Sequence, residues 1–420
     1  MHRRPPRPGP LVSYALTAAT TRSATEAAGP ALLLAVTAAG RPASTAALLV
    51  SALTAASAVT GPAVGAALDV TRHPKRLFVG AILLLGTMFA VLAATIDVVP
   101  VAAAAGVVVL AGLGQPALAG GWTAQIPRVV PAGLVPRGYA VDGGTYNLAA
   151  IVGPAVGAAA LTLGPRAPLL AVSAVVLAGL AALPLVPLRT PDRARAQGPA
   201  GRRLLGGLHA LVAIPRLRGS TVVTTVGLAG QAALVVAAPG LSRDLTGGVH
   251  LTAWLLVAFA VGGLASTALL AVRPFDRGHD DTGRPTASRR CDAAVVGGTL
   301  LVGAGMALVA ASPSAPVALA GVVLMGLADG ALMTGMFLVR AAEAPDGVRA
   351  QVFTVAASVR TSAYALATAG LATLADERFR TAAWIGAGVQ VLAVALGALA
   401  ALGDGTVRPG STDAAGPSTV

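Results

Sequence analysis

The chain has 420 residues, 55% of them hydrophobic and 11% charged, with a mean hydropathy of +0.77. A soluble domain carries about 25% charged residues, so a chain this apolar belongs in a bilayer rather than around one soluble core. The formal charge of +13 reads as basic residues gathered on the cytoplasmic side of a membrane protein, not as a nucleic-acid surface. The single cysteine, Cys291, permits no intrachain disulfide and no cysteine-based zinc site. None of the five histidines sits deep in an apolar run, and neither metal nor cofactor is expected.

A crossing of the hydrocarbon core takes about 20 apolar residues. Twelve such stretches can be drawn: 11–37, 44–68, 77–96, 98–122, 138–161, 167–188, 219–240, 249–272, 292–311, 315–339, 350–374 and 381–402. They are numbered here as spans 1 to 12. Met1 to Pro10 is basic and runs into apolar sequence as a signal peptide does. The run holds Arg22 and Glu26 and is followed by many more spans, so it reads as an uncleaved first helix. Glycine and proline are frequent inside the spans, which membrane helices tolerate because neighbours satisfy freed backbone groups and small residues allow close packing. The junction of spans 4 and 5, Trp122 to Arg137, is the least distinct.

Placing the N-terminus in the cytoplasm puts 23 of the 30 bases in inside segments. Among them are Arg340, Arg349 and the bases of the central loop. Only five (Arg41, Arg166, Arg243, Arg378 and Arg380) fall outside, and Arg22 and Arg360 fall within spans. This bias predicts a multi-pass plasma-membrane protein with both termini inside. The expected organisation is a cytoplasmic start at 1–10, a six-helix bundle at 11–188, a basic cytoplasmic linker with a short surface helix at 189–218, a second six-helix bundle at 219–402 and a disordered tail at 403–420.

The halves echo each other. The segment from Gly112 to Leu118 resembles Gly326 to Leu332, and the same shift of 214 residues aligns Pro131 with Pro345 and Tyr139 with Phe353. Within the first half, G-P-A-V-G-A-A occurs at 61–67 and again at 153–159, late in spans 2 and 5. Nested inverted repeats would place such copies three spans apart, and chance recurrence in Ala/Gly-rich sequence is the alternative.

Between spans 2 and 3, Gly61 to Arg76 ends one apolar run in glycines and adds Asp69, Arg72, Lys75 and Arg76 before the next begins. This stretch, with six plus six spans and a basic central loop, resembles the major facilitator superfamily over essentially the whole chain. Gly65, Asp69, Arg72, Lys75 and Arg76 match the family's loop 2–3 motif, with Pro74 where the family has a second glycine. Gly153, Pro154 and Gly157 resemble the fifth-span motif of its exporters, whose further glycine is Ala158 here. Val107-Val108-Val109 stands where proton-driven exporters often carry an arginine. The resemblance implies an all-α polytopic fold of 12 transmembrane helices, arranged as two pseudo-symmetric six-helix bundles around a cavity that opens alternately to each side. It also implies that spans 3, 6, 9 and 12 are peripheral, and the interiors of those spans carry no charge.

A charge at mid-bilayer costs roughly 2.5–3.5 kcal/mol, so it must face a cavity or a partner. Arg22 and Glu26, four residues apart, share a face of span 1; they either neutralise each other or bind substrate and exchange protons. Asp329 in span 10 and Arg360 in span 11 lie at mid-depth, as a structural ion-pair cluster or as part of the transport pathway. Asp142 is placed at the start of span 5, either favoured by the exposed N–H groups of a helix's first turn or in a gating contact. Tyr146, Asn147, Gln115, Gln125 and Gln231 are further polar candidates, each read more readily as a helix–helix hydrogen bond than as a ligand contact. Asp69 is suited to pair with Arg72 or to cap a neighbouring helix such as span 11, a latch present in only one of two states.

These features favour a secondary transporter, an exporter of a small organic molecule coupled to protons and working as a monomer, over an importer. A membrane-embedded lipid-linked transferase would need clustered acids or histidines at one membrane face. The nearest candidates, Asp276, Asp280 and Asp281, read as solvated. No phosphate-binding G-x-x-x-x-G-K-[ST] loop occurs, and no enzyme activity is expected.

Overall fold

A computed structural model describes residues 9–188, 200–248, 250–275, 277–279, 285–345, 347–375 and 378–402. The basic start, residues 189–199 of the linker, Asp276, Asp280, Asp281 and the tail from 403 lie outside the described residues. The spans are helices: Pro10–Ala38, Ala43–Val70, Pro74–Thr95, Val101–Leu113, Val135–Leu161, Ala167–Ala182, Pro215–Thr246, His250–Val272, Arg289–Ala311, Ala315–Glu343, Arg349–Leu371 and Phe379–Leu402. Ten of the spans, with span 4 taken through to Ala124, are long and apolar enough to cross a membrane. The other two, spans 1 and 11, carry Arg22, Glu26 and Arg360 among many serines and threonines. Those hydroxyls turn back onto their own helix, as when Thr17 donates to the Ser13 carbonyl and Thr21 to that of Thr17.

Proline sets many of the helix starts. It occupies the first turn of spans 1, 3, 5, 6, 7 and 10, where its missing N–H has no intrahelical partner to lose. Pro74 thereby opens span 3 three residues before the apolar run begins. Pro136 moves the start of span 5 to Val135, and Pro215 moves that of span 7 ahead of residue 219. Span 4 is broken after Leu113 and continues as a π-turn, Ala117–Gly121, and two short pieces ending at Val129. Pro116 and the glycines around it account for the break. Of the linker, Ala200–Ala213 is a helix and the residues from Pro215 on belong to span 7. Span 10 runs past residue 339 to Glu343, so Arg340, assigned to a loop by hydropathy, is inside a helix. After span 8, Arg277–His279 pairs antiparallel with Pro285–Ala287 in a small hairpin.

The two sets of six helices form two bundles, and spans 3, 6, 9 and 12 pack chiefly within their own half. One bundle core is built around Phe78, Phe89 and Trp122, with Phe78 stacked on Trp122 at 3.9 Å. The other is built around Val302, Met306, Val322 and Met325. The 214-residue shift is physical. A side chain on Gly112 would strike the Leu53 carbonyl of span 2, and one on Gly326 the Phe259 carbonyl of span 8. Each glycine thus lets its helix press onto the corresponding neighbour. The related aromatics Tyr139 and Phe353 stack on each other across the halves, with centroids 5.9 Å apart. The heptapeptide copies are not equivalent in this way. Gly61 and Gly65 face span 11 of the other bundle, whereas Gly153 and Gly157 face span 1 of their own.

The bundles meet at the end that carries loop 2–3 and the linker helix, called here the linker side. Spans 2 and 11 meet there through Gly61 and Gly65, and spans 5 and 8 through Gly143, Gly144, Asn147, Gly263 and Thr267. Ala350 to Ala356 of span 11 are all buried, and none of residues 357–371 is. The facing surfaces are therefore closed on the linker side and apart on the far side.

Close approach at Gly326 has a measurable cost of violation. Gly326→Val should lower stability by about 1–3 kcal/mol through overpacking. Gly80→Val, at a glycine with open space around it, should leave the melting temperature in detergent unchanged.

Candidate functional site

Arg22 and Asp142 form the best-satisfied polar cluster of the interior. Arg22 Nη1 donates to Asp142 Oδ1 at 2.6 Å, with the two side chains 1% and 0% exposed. Asp142 also accepts from the Tyr14 hydroxyl and, at 2.8 Å, from Thr123 Oγ1. Arg22 donates further to Thr145 Oγ1, to Thr123 Oγ1 at 3.0 Å and to the Ala119 carbonyl at 3.1 Å. Its guanidinium lies 3.7 Å above the Tyr146 ring. The arrangement corrects two expectations. Asp142 is not in a first turn, because the helix begins at Val135 and carries Asp142 two turns in. Arg22 is neutralised by Asp142 rather than by Glu26. Tyr14, Thr123 and Thr145 went unnoticed in the sequence, although Tyr14, Ala18 and Arg22 follow one face of span 1 at four-residue spacing.

Among the described residues Glu26 is thereby left without an ion-pair partner. It is solvent-accessible yet surrounded by protein, lies within electrostatic range of Arg22 and faces Tyr364 of span 11 at electrostatic range. Gly153 of span 5 packs against Glu26 and the backbone of Ser23 and Ala27, where any side chain would collide. Gly157 continues that contact along span 1 toward Ala31, while Pro154 between them is exposed. Asn147 donates to the Gly143 carbonyl at 3.2 Å and fills the space left by Gly263 of span 8. Gln115 is half-buried where span 4 breaks.

In the second half, Asp329 is buried and accepts from Gln231 Nε2 at 3.0 Å. Arg360 lies within electrostatic range of Asp329, and its Nε donates to the Thr224 carbonyl at 3.2 Å. Thr224 Oγ1 accepts from Arg340 Nη2 at 3.3 Å. Arg340 is 1% exposed and escaped the sequence reading because it follows the apolar run to Val339. Its one signal was the pair of alanines after it, which keep it inside the helix. Of the tryptophans, Trp122 is a core residue, while Trp254 and Trp384 are exposed.

On the linker side, Asp69 joins the halves. The first N–H groups of a helix have no intrahelical partner, and Val348, the residue before span 11, supplies no side-chain cap. Asp69 caps that helix from the other bundle, accepting from the N–H groups of Ala350 at 2.8 Å and Gln351 at 3.0 Å. A carboxylate there also meets the positive end of the helix dipole. Arg72 and Arg76 are exposed, and Lys75 Nζ donates to the Pro184 carbonyl at 2.9 Å. Arg128, below the break in span 4, donates to the Leu68 carbonyl at 3.3 Å and to Gln125 Oε1 at 3.0 Å. Burial lowers its proton affinity, Asp69 opposes that and nearby Arg349 adds to it. Among the described residues no cluster of three metal-ligating side chains occurs.

A family model described as Major Facilitator Superfamily matches residues 14–368. The solved structure of the human organic anion transporter MFSD10 (TETRAN) superposes with a TM-score of 0.67 at 19% identity, over 94% of this chain and 100% of that one. A variant of the E. coli fucose:proton symporter FucP gives 0.71 at 13% identity, over 93% and 98%. A bacterial homologue of the iron transporter ferroportin, in an outward-facing state, gives 0.67 at 16% identity, over 93% and 98%. A search of curated protein sequences gives no match.

Removing one member of a buried ion pair strands the other, at a cost of about 3–5 kcal/mol, whereas replacing both with apolar residues is often neutral. Asp142→Asn should therefore lower the melting temperature sharply. The double variant Arg22→Met with Asp142→Leu should recover most of the loss, a coupling readable from a double-mutant cycle.

Proposed function

The chain belongs to the major facilitator superfamily, and on that premise we propose that it is a proton-coupled exporter of a small organic molecule, working by alternating access as a monomer. The transport role follows from the family; the coupling and the direction are our reading. What carries it is Glu26, an acid on the accessible face of span 1 with no ion-pair partner among the described residues. Closing the far side would take its charge out of water, at a cost of several kcal/mol. A proton bound by Glu26 removes that cost, so the return step is open to the protonated carboxyl and resisted by the ionised one. Asp329, held by Gln231 and near Arg360, is the matching acid of the second half. Direction is argued from Gly153, Pro154 and Gly157, the exporter-like motif, whose first glycine lies directly against Glu26. One chain supplies both bundles, the gate and the whole site, which fits a monomeric unit. The basic residues of loop 2–3 and the linker favour a cytoplasmic linker side in the cell membrane. The conformation then faces outward.

Transport in everted vesicles with an imposed pH gradient, across a panel of compounds, tests this. The wild type should drive at least one compound against its gradient. Glu26→Gln and Asp329→Asn should insert normally but lose pH-driven transport. Gradient-driven movement that survives Glu26→Gln would sink the proton role.

The latch is tested separately. The two N–H bonds to Asp69 are charge-assisted and worth about 1.5–3 kcal/mol each. Asp69→Asn should shift the population toward the linker-side-open state by tenfold or more. Distances between spin labels on loop 2–3 and on the linker-side end of span 11 would show this as a longer component.

A further inference from the structure

Arg340 and Arg360 present an arrangement that a structural role does not explain. Their guanidinium groups converge on one residue, Thr224 of span 7, through its hydroxyl and its carbonyl respectively. The convergence follows from helix direction, since helical side chains lean toward their own N-terminus. Span 10 starts on the far side, so Arg340, near its linker end, reaches up toward mid-membrane. Span 11 starts on the linker side, so Arg360, at mid-depth, reaches down. Neither arginine has a carboxylate within ion-pair distance among the described residues, and Asp329 is already bonded to Gln231. Arginine does not shed its proton in a protein, so both charges persist, and like charges brought together repel.

The contrast with Arg22 is direct. That arginine, equally buried, is met by a carboxylate, two threonine hydroxyls, a carbonyl and an aromatic face. Among the described residues Arg340 makes one hydrogen bond, through Nη2; its Nε, like that of Arg22, is buried without a partner. Among the described residues Arg360 engages only its Nε, and neither Nη group has a hydrogen-bond partner. It is also half-buried rather than sealed, on the part of span 11 where the halves stand apart. Its two Nη donors form the planar fork that grips carboxylate, sulfonate or phosphate in a bidentate manner. Tyr146 of the first bundle lies within electrostatic range of both arginines. A group held there would therefore sit between the bundles, above the closed linker side.

We propose that Arg340 and Arg360, gathered on Thr224, bind the anionic group of the transported molecule, a carboxylate, sulfonate or phosphate. This rests on the transport reading and adds the substrate class to it. The test is thermal stabilisation of the purified full-length chain in detergent by benzoate, succinate and phenyl phosphate. Benzamide, succinamide and phenol are the uncharged counterparts, and potassium chloride at equal ionic strength is the control. At least one anion should raise the melting temperature saturably while its counterpart does not. Arg360→Gln should weaken that anion at least tenfold, Arg360→Lys should weaken it less, and Arg340→Gln should abolish the shift if it folds. Arg360 is partly exposed, so its variants keep the test decisive even if Arg340→Gln unfolds. The proposal is overturned if no anion exceeds the salt control, if the uncharged counterparts stabilise as much, or if Arg360→Gln binds the anion unchanged. Binding is read without transport. Anion binding without pH-driven movement therefore removes the exporter reading and leaves this site standing; pH-driven movement of compounds with no anion binding does the reverse.

Discussion

The hydrocarbon core tolerates a charge only where something answers it, and that constraint arranges the interior of this protein. Each ionisable side chain at depth is answered differently. Arg22 and Asp142 answer each other so fully that they act as one neutral polar block tying spans 1 and 5 together, with Thr123 drawing in the broken span 4. Asp329 is answered by an amide. Glu26 has no ion-pair partner among the described residues and is exposed. The first of these fixes a bundle. The last is the one on which the proposed proton coupling rests.

The same economy governs the contact between halves. Helix backbones can approach closely only where side chains are absent, so Gly61 and Gly65 of span 2 bring it against Thr354 and Ser358 of span 11. That approach carries Asp69 to the uncapped start of span 11. The linker helix joins at the same place, where the Gly207 N–H donates to Gln351 Oε1 at 2.7 Å and Ala210 and Leu211 pack against Val352 and Val355. The opening turn of span 11 is thus held by one carboxylate from the first bundle and by the chain that joins the bundles. Opening this side must undo both contacts together.

Much of this was legible in the sequence, because the bilayer imposes a length and a charge rule on every segment. The twelve spans and the halves came from those rules, and the 214-residue repeat from matching glycines, prolines and aromatics. What was not legible depends on where helices begin and which way side chains lean. Pro136 places Asp142 two turns into span 5, and hydropathy alone, weighing Trp122 to Arg137 as one blurred junction, could not separate the break in span 4 from that start. Arg22 and Glu26 share a helix face, yet the partner of Arg22 lies 120 residues away, and no local pattern announces it. Arg340 sat among the bases expected in loops because it follows an apolar run, and only the length of span 10 brings it inside.

The repeat gives the anion site its sharpest argument. Under the 214-residue shift, Asp142 corresponds to Ala356 and Tyr146 to Arg360. In the first bundle, the aromatic ring lies under an arginine that already has its carboxylate. In the second, the arginine occupies the place of the ring, and the place of the carboxylate is held by an alanine with no exposed surface. The same shift takes Arg22 to Val236, so the second bundle lacks both members of that ion pair, and its arginine stands at another position, within range of Asp329 but not paired with it. A cation kept in a membrane interior with no carboxylate in ion-pair contact is a standing cost of several kcal/mol. Either the site would have lost the arginine or a ligand supplies the missing charge for part of each cycle. Arg340, added from span 10 where the first half has Ile126, doubles that cost rather than relieving it, and this favours the ligand.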